Sequence, residues 1–234
     1  MEISVILPTY NERENLKKLL PVLLKYSNVE VVVVDDNSSD GTSAYVRELM
    51  KTYKNLKLVE RPFKLGLGSA YKDGFKATVG RKIVTMDADL SHDPKYIAEF
   101  SKIIDKENVD IIIGSRYVSG GRIVGWKPHR KIISWSANLL ARNFLRLGVR
   151  DATSGYRMYR REVFAKIASH SIMKGYEFQV EALFLAKKFG FEIYEYPIVF
   201  VDRKAGKSKL SVKDILKFLK AMLKLGFSGA TLRH

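Results

Sequence analysis

Apolar and polar positions along this chain fall into blocks that read as strand, helix, strand. Ile3 to Leu7 is a short apolar run that stops at Pro8. From Asn11 to about Lys25 the period lengthens. Leu16, Leu19, Leu20, Leu23 and Leu24 recur three and four residues apart, the spacing of one helix face. Val29 to Val34 is a nearly continuous β-branched run, the pattern of a strand covered on both faces. The capping-rich turn Asp35 to Thr42 leads into a helix to about Tyr53. Leu56 to Glu60 predicts a third strand, Gly66 to Thr78 a helix, and Lys82 to Met86 a fourth strand. Pro94 to Asp105 predicts a helix and Asp110 to Gly114 a fifth strand. Such alternation predicts a parallel sheet with right-handed crossovers.

After Ser115 the pattern changes. Ser119-Gly120-Gly121 and Val124-Gly125-Trp126 read as a mobile glycine-rich loop. His129 to Leu147 and Tyr176 to Phe189 read as helices, Phe191 to Val201 as a strand, and Arg203 to Leu210 as a basic loop. Ser211 to about Phe227 reads as a last helix. The expectation is a catalytic domain over 1–210 and an amphipathic helical tail over 211–234. On that tail Lys213, Lys217, Lys220 and Lys224 share a narrow face, and apolar residues fill the rest. Such a helix suits a membrane interface, with lysines toward lipid headgroups, or a membrane-embedded partner. Trp126, Trp135, Leu139 and Leu140 are candidates for a second contact, with a lipid.

The most telling local pattern is Val84-Thr85-Met86-Asp87-Ala88-Asp89, an apolar strand ending in two carboxylates. In open α/β sheets ligands sit beyond the carboxyl ends of the strands. Two carboxylates there repel unless a cation offsets them, and Mg²⁺ or Mn²⁺ bridging a diphosphate would do so. Helix capping by Asp89 or Asp93 is the plainer alternative. Two further clusters follow strands, Pro8-Thr9-Tyr10-Asn11-Glu12 and Val34-Asp35-Asp36, and a parallel sheet opens all three on one edge. Tyr10 could stack on a base, and Glu12 or Asp36 could accept from base or ribose donors. Gly66-Leu67-Gly68-Ser69-Ala70 has neither a dinucleotide nor a P-loop spacing, so it reads as a tight turn with close helix–sheet packing.

Charge narrows the partners. The formal net charge is +16, which favours nucleic acid, a phosphate-bearing substrate or an anionic membrane. Carboxylates gathered at strand ends would repel a nucleic-acid backbone, so a nucleic-acid module is disfavoured. No cysteine is present, which removes disulfide and thiolate chemistry and favours a reducing compartment. Neither a secretory leader nor a run long enough to span a bilayer is visible, so the expected location is the cytoplasmic face of a membrane, peripherally bound.

Taken together, these segments resemble the family 2 glycosyltransferases of GT-A fold, and among them the dolichyl-phosphate (polyprenyl-phosphate) mannose synthases. The residues are Pro8 to Arg13, Val33 to Asp36, Met86 to His92, Gly114 to Tyr117, Arg130 to Ser134, Ser154 to Arg157, and Asp202-Arg203 through Gly206 to Leu210. The resemblance implies a Rossmann-like, mostly parallel α/β sheet flanked by helices, with a C-terminal amphipathic helix. It implies GDP-mannose as donor, a dolichyl or polyprenyl phosphate as acceptor, and Mg²⁺ or Mn²⁺. By analogy Pro8, Tyr10, Glu12, Val34 and Asp36 hold the guanosine, and Asp87, Ala88 and Asp89 hold diphosphate and metal. Arg116, Arg130, Arg203 and Lys209 face the phosphates, with Asp89 the central catalytic carboxylate. Some relatives place a glutamine ligand two residues after the second aspartate; Ser91 stands there in this chain. An anionic phosphate acceptor needs no general base, and direct displacement predicts inversion to a β-mannosyl phosphate. A different sugar nucleotide, such as UDP-glucose, stays open as the donor. A small membrane-embedded subunit stays open as a partner.

Overall fold

The computed structural model describes residues 1–202 and 212–230. Its first half follows the alternating pattern: β1 (Ile3–Thr9), α1 (Arg13–Leu23), β2 (Val29–Asp35), α2 (Thr42–Thr52), β3 (Leu56–Glu60), α3 (Leu67–Lys76), β4 (Lys82–Thr85), α4 (Tyr96–Lys106) and β5 (Ile111–Ser115). Then come β6 (Arg122–Val124), α5 (Pro128–Phe144), β7 (Arg157–Arg160), α6 (Arg161–His170) and α7 (Phe178–Lys188). β8 (Ile193–Pro197), β9 (Val199–Val201) and α8 (Val212–Ala230) follow.

Seven strands form the main sheet in the order β3-β2-β1-β4-β7-β5-β8. Successive strand residues point to opposite faces, so each strand feeds two cores. Val31 and Val33 pack with Leu16, Leu20, Val46 and Phe100 under α1, α2 and α4. Val32 and Val34 pack with Tyr71, Phe164 and Phe178 under α3, α6 and α7. This double burial is why β2 reads as an unbroken apolar run.

Three departures from the sequence pattern matter. First, β7 runs antiparallel to both β4 and β5. The chain between Ser115 and Arg157 begins and ends at the carboxyl edge, because Arg157 lies opposite both Thr85 and Ile113. A segment that returns to the edge it left must feed a reversed strand. Second, the single strand expected over Phe191 to Val201 is two. β8 pairs with β5, while β9 pairs with β6 in a separate two-stranded sheet. Pro197 closes β8, since it has no N–H to extend the ladder. Third, part of the glycine-rich loop is β6 itself, held by that pairing rather than free.

Two packing details also differ. Gly68 lies against α7, where a Cβ would stand 2.5 Å from Phe178 Cβ, so the close approach there is helix on helix. It is Gly74, further along α3, that meets the sheet at Ile6 and Val34. α8 buries Ala221, Met222 and Leu225 against the body and leaves Leu219, Leu223 and Phe227 exposed.

Candidate active site

Register sets the site. Thr9 pairs with Asp35, and Ile6 pairs with Thr85, so β1, β2 and β4 deliver their next residues to one edge. Tyr10, Asp36, Asp87 and Asp89 stand there. Pro8 and Val34 are register partners just below, and Val34 is fully buried. The β1 and β2 loops are tied together: Asn11 N–H donates to Ser38 Oγ (2.8 Å) and Ser39 N–H to Asn11 Oδ1 (2.9 Å). Asn11 sits in the left-handed region at φ 57°, which asparagine tolerates. Glu12 accepts from Asn15 Nδ2 at 2.7 Å. Lys64 Nζ lies 3.4 Å over the Tyr10 ring.

Asp36 and Asp35 divide their labour. Asp35 is buried and accepts from Thr9, Ser38 and Ser43, so it fixes the loop. Asp36 pairs with Arg61, whose Nε donates at 2.6 Å. Burial raises the Asp36 pKa, and the Arg61 charge only partly opposes that. Arg61 is buried and also donates to Ser69 Oγ at 2.7 Å. It follows β3 directly, so the strand-end rule applied to β3 would have found it.

Asp87 is half-buried and Asp89 is 7% exposed. Ser91 N–H donates to Asp89 Oδ1 at 3.1 Å, and the Ser91 hydroxyl donates to the same oxygen. Leu90 between them takes φ 67°, a left-handed bend that folds this short loop back on itself. His92 Nδ1 accepts the Asp87 N–H at 3.0 Å, and its ring stacks on Tyr156. Burial pushes the His92 pKa down to about 4, so the ring is neutral at physiological pH and braces the loop.

Among the described residues no group of three or more His, Cys, Asp or Glu could hold a metal ion by itself. The donor set fits a different arrangement. Two adjacent carboxylates on a strand end are what Mg²⁺ or Mn²⁺ takes from protein when phosphates and water complete its shell. That set does not suit a closed structural zinc centre.

Arg116, immediately after β5, is tied to Asp151. Its Nε and Nη2 reach the two carboxylate oxygens at 2.7 Å each, and Nη2 also meets Thr153 Oγ1 at 2.8 Å. Burial works against the Asp151 anion, but the Arg116 charge and hydrogen bonds overcome it and hold its pKa below the ordinary value. Arg130 pairs with Asp202 at 2.7 Å and lies 4.2 Å over the Trp126 ring. Trp126 is therefore buried under cations, not displayed for a lipid. Arg203 and Lys209 lie outside the described residues. A cleft of about 510 Å³ opens between Arg116, Arg122, Lys131 and Trp135, lined by cationic and apolar side chains together. A depression of about 600 Å³ near Arg142, Arg146 and Arg150 is lined by residues of none of these strand ends.

Asp151, Thr153 and His92 were not singled out from the sequence for these roles. Asp151 and Thr153 reach the site only because β7 is reversed, a feature with no local signature.

Comparison with known proteins bears on the family and the fold. The model of Glycosyl transferase family 2 matches residues 4–168. Polyprenol monophosphomannose synthase of Mycolicibacterium smegmatis is 40% identical over 231 residues, covering 96% of this chain and 87% of the relative. Undecaprenyl-phosphate mannosyltransferase of Micrococcus luteus is 39% identical over 216 residues, covering 90% and 88%. Among solved structures, glucosyl-3-phosphoglycerate synthase of Mycobacterium tuberculosis, crystallised with Mn²⁺, UDP and glucosyl-3-phosphoglycerate, superposes with a TM-score of 0.71. It covers 97% of this chain and 80% of that one at 20% identity. A second crystal structure of that synthase, with Mn²⁺ and UDP-glucose, also gives 0.71, at 18% identity and 97% and 79% coverage. At these identities the likeness is one of fold.

Proposed function

The chain belongs to glycosyl transferase family 2, and from that premise we propose that it transfers mannose from GDP-mannose to a dolichyl or polyprenyl phosphate. One observation carries the reading. A single sheet edge holds Tyr10, Asp36, Asp87 and Asp89 at one end and Arg116 beside a cationic, apolar cleft at the other. That is a donor half and an acceptor half. The two mannosyltransferase relatives support the sugar and the lipid phosphate.

In this reading Pro8, Tyr10, Glu12, Val34 and Asp36 hold the guanosine. Tyr10 offers its ring once Lys64 shifts toward the phosphates, and Asp36, steadied by Arg61, accepts from donor hydroxyls or amines. Asp87, Ala88 and Asp89 would face the diphosphate, and Asp87 and Asp89 would hold Mg²⁺ or Mn²⁺ with Ser91 at hand as a weak third oxygen. A cation held there would supply charge to offset that gathering on the departing GDP.

The acceptor is a phosphate monoester, already anionic. One of its oxygens forms a bond to the anomeric carbon as the bond to GDP breaks, and GDP leaves with the electron pair. No proton has to move, so no general base is required, and attack opposite the leaving group inverts the centre. Arg116, Arg130, Arg203 and Lys209 hold the acceptor phosphate in line. Arg116 and Arg130 are suited to this because Asp151 and Asp202 fix their forks before substrate arrives.

The polyprenyl chain needs an apolar path to a membrane. Ile132, Ile133 and Trp135 on α5 and Leu219, Leu223 and Phe227 on α8 are exposed, with Lys217, Lys220 and Lys224 among them. No described helix is long and apolar enough to cross a membrane, so peripheral docking at the cytoplasmic face, or onto a small membrane subunit, is the arrangement proposed.

The deciding experiment incubates the protein with vesicles containing a polyprenyl phosphate and either labelled GDP-mannose or labelled UDP-glucose. A β-mannosyl phosphoryl lipid from the first alone is expected. Lipid product from UDP-glucose alone, or from neither, overturns the proposal.

A further inference from the structure

Beneath the strand ends lies a buried polar chamber. Tyr71 of α3 and Arg157 of β7 are fully buried, and Gln179 of α7 is 4% exposed. Arg157 donates to Gln179 O at 2.7 Å and to Ala152 O at 2.9 Å. Tyr71 Oη, Arg157 Nε and both ends of the Gln179 amide nevertheless have no hydrogen-bond partner among the described residues. Only one other buried side-chain atom there is in that position, Trp126 Nε1. A buried polar group left so is costly, so several gathered in one place call for an explanation.

Their placement supplies one. A Cβ on Gly155 would stand 3.2 Å from Gln179 Nε2, 3.6 Å from Tyr71 Oη and 3.7 Å from Asp87 Oδ1. Because residue 155 has no side chain, an amide, a phenol and a carboxylate share one small space. Thr85 Oγ1 donates to Gly155 O at 2.9 Å, so this glycine is pinned to the strand that leads into Asp87. Burial and then the Asp87 charge push the Tyr71 phenol well above its ordinary pKa, so it keeps its proton and can donate.

We infer that Tyr71 and Gln179 are positioning residues for Asp87, joined to its Oδ1 through one ordered water beside Gly155. The water accepts from the phenol and the amide and donates to the carboxylate, which satisfies the two to four partners a buried water needs. With one carboxylate oxygen fixed from behind, the orientation of the other is set before a cation arrives. The inference rests on the reading of Asp87 as a ligand of the divalent cation.

The test uses the full chain and three variants: Tyr71→Phe, Gln179→Met and Gly155→Ala. Thermal melting without ligand and calorimetric Mn²⁺ binding in the presence of GDP are measured for each. Removing orphaned polar atoms from a core is neutral or stabilising if nothing else depends on them. The inference expects Mn²⁺ affinity in Tyr71→Phe and Gln179→Met to fall by about tenfold, well beyond what any small drop in melting temperature accounts for. Gly155→Ala should weaken Mn²⁺ likewise by crowding Gln179 Nε2. Wild-type Mn²⁺ affinity in the first two variants overturns the inference and leaves the metal reading intact. So does a loss of affinity that merely tracks lost stability, which marks plain packing. Failure of the wild type to bind Mn²⁺ with GDP overturns the reading of Asp87 itself. A high-resolution crystal structure without density between Tyr71 Oη and Gln179 Nε2 also sinks the inference.

Discussion

Arg116 and Asp151 meet at two points 2.7 Å long, and both are almost sealed from solvent. Each is the other's main compensation for leaving water. Asp151→Ala should therefore strand a buried guanidinium and cost about 3–5 kcal/mol in urea unfolding. Replacing both by apolar residues should recover much of that stability without recovering transfer. A double variant that regains activity would show that Arg116 does not touch the acceptor.

The same pair sets an acid limit. Asp151 has a folded pKa below the ordinary 3.8. Its contribution is thus fully present above that value and is lost as pH falls through the lower, folded one. Wild type should lose stability along this limb, and Asp151→Asn, already deprived of the pair, should show a flatter acid limb. Parallel acid limbs in pH-dependent melts would remove Asp151 from the account.

Asp89→Ala should reduce turnover by more than about a hundredfold, the scale of a lost electrostatic contact in a transition state. Its melting temperature should fall less than after a core truncation, because the loss is confined to the two hydrogen bonds from Ser91. Chelation should abolish activity, and added Mg²⁺ or Mn²⁺ should restore it. Full turnover in Asp89→Ala, or in chelator, would end the metal-assisted reading.

Arg61→Met should weaken donor binding while leaving turnover at saturation nearly intact. Burial already raises the Asp36 pKa, and loss of Arg61 removes the charge that opposes this. The defect should be greatest at low pH and shrink as pH rises and Asp36 ionises again. A donor KM that is unchanged, or shifted equally at every pH, would separate Arg61 from Asp36.

Leu223→Glu with Phe227→Glu alters two exposed residues of α8 and leaves buried Met222 and Leu225 in place. Co-sedimentation with anionic vesicles should fall sharply in this variant, and wild-type binding should weaken with salt. Equal binding by both proteins would exclude α8 from the membrane contact.

Much of this architecture was legible because the physics behind it is local. Val29 to Val34 announces a strand with both faces covered, and Leu16, Leu19, Leu20 and Leu23 announce one buried helix face. The meeting of Tyr10, Asp36 and Asp87 follows, since parallel strands send them to one edge by rule. The surroundings of Arg116 depend on contacts distant in sequence. Arg116 finds Asp151 thirty-five residues away, and Arg157 is buried inside a strand whose Arg-Met-Tyr-Arg sequence gives no apolar run. Pro197 was visible, yet its effect was missed because the apolar residues on either side read as one strand. Burial also changed the sense of Trp126, which the sequence offered as a lipid contact and the fold covers with Arg130.

The reversed β7 sits between two parallel blocks of the sheet, and both blocks feed the same two cores. β3, β2, β1 and β4 form one uninterrupted block, and β5 with β8 forms another. Arg116, Asp151 and Thr153 all belong to the chain between β5 and β7, which leaves and rejoins the same rim. That excursion carries residues of two kinds, Arg116 and Arg130 on one side and Gly155 and Tyr156, which lie against Asp87 and His92, on the other. Exchanging residues 116–156 as a block would therefore disturb the Asp87 loop together with the arginines.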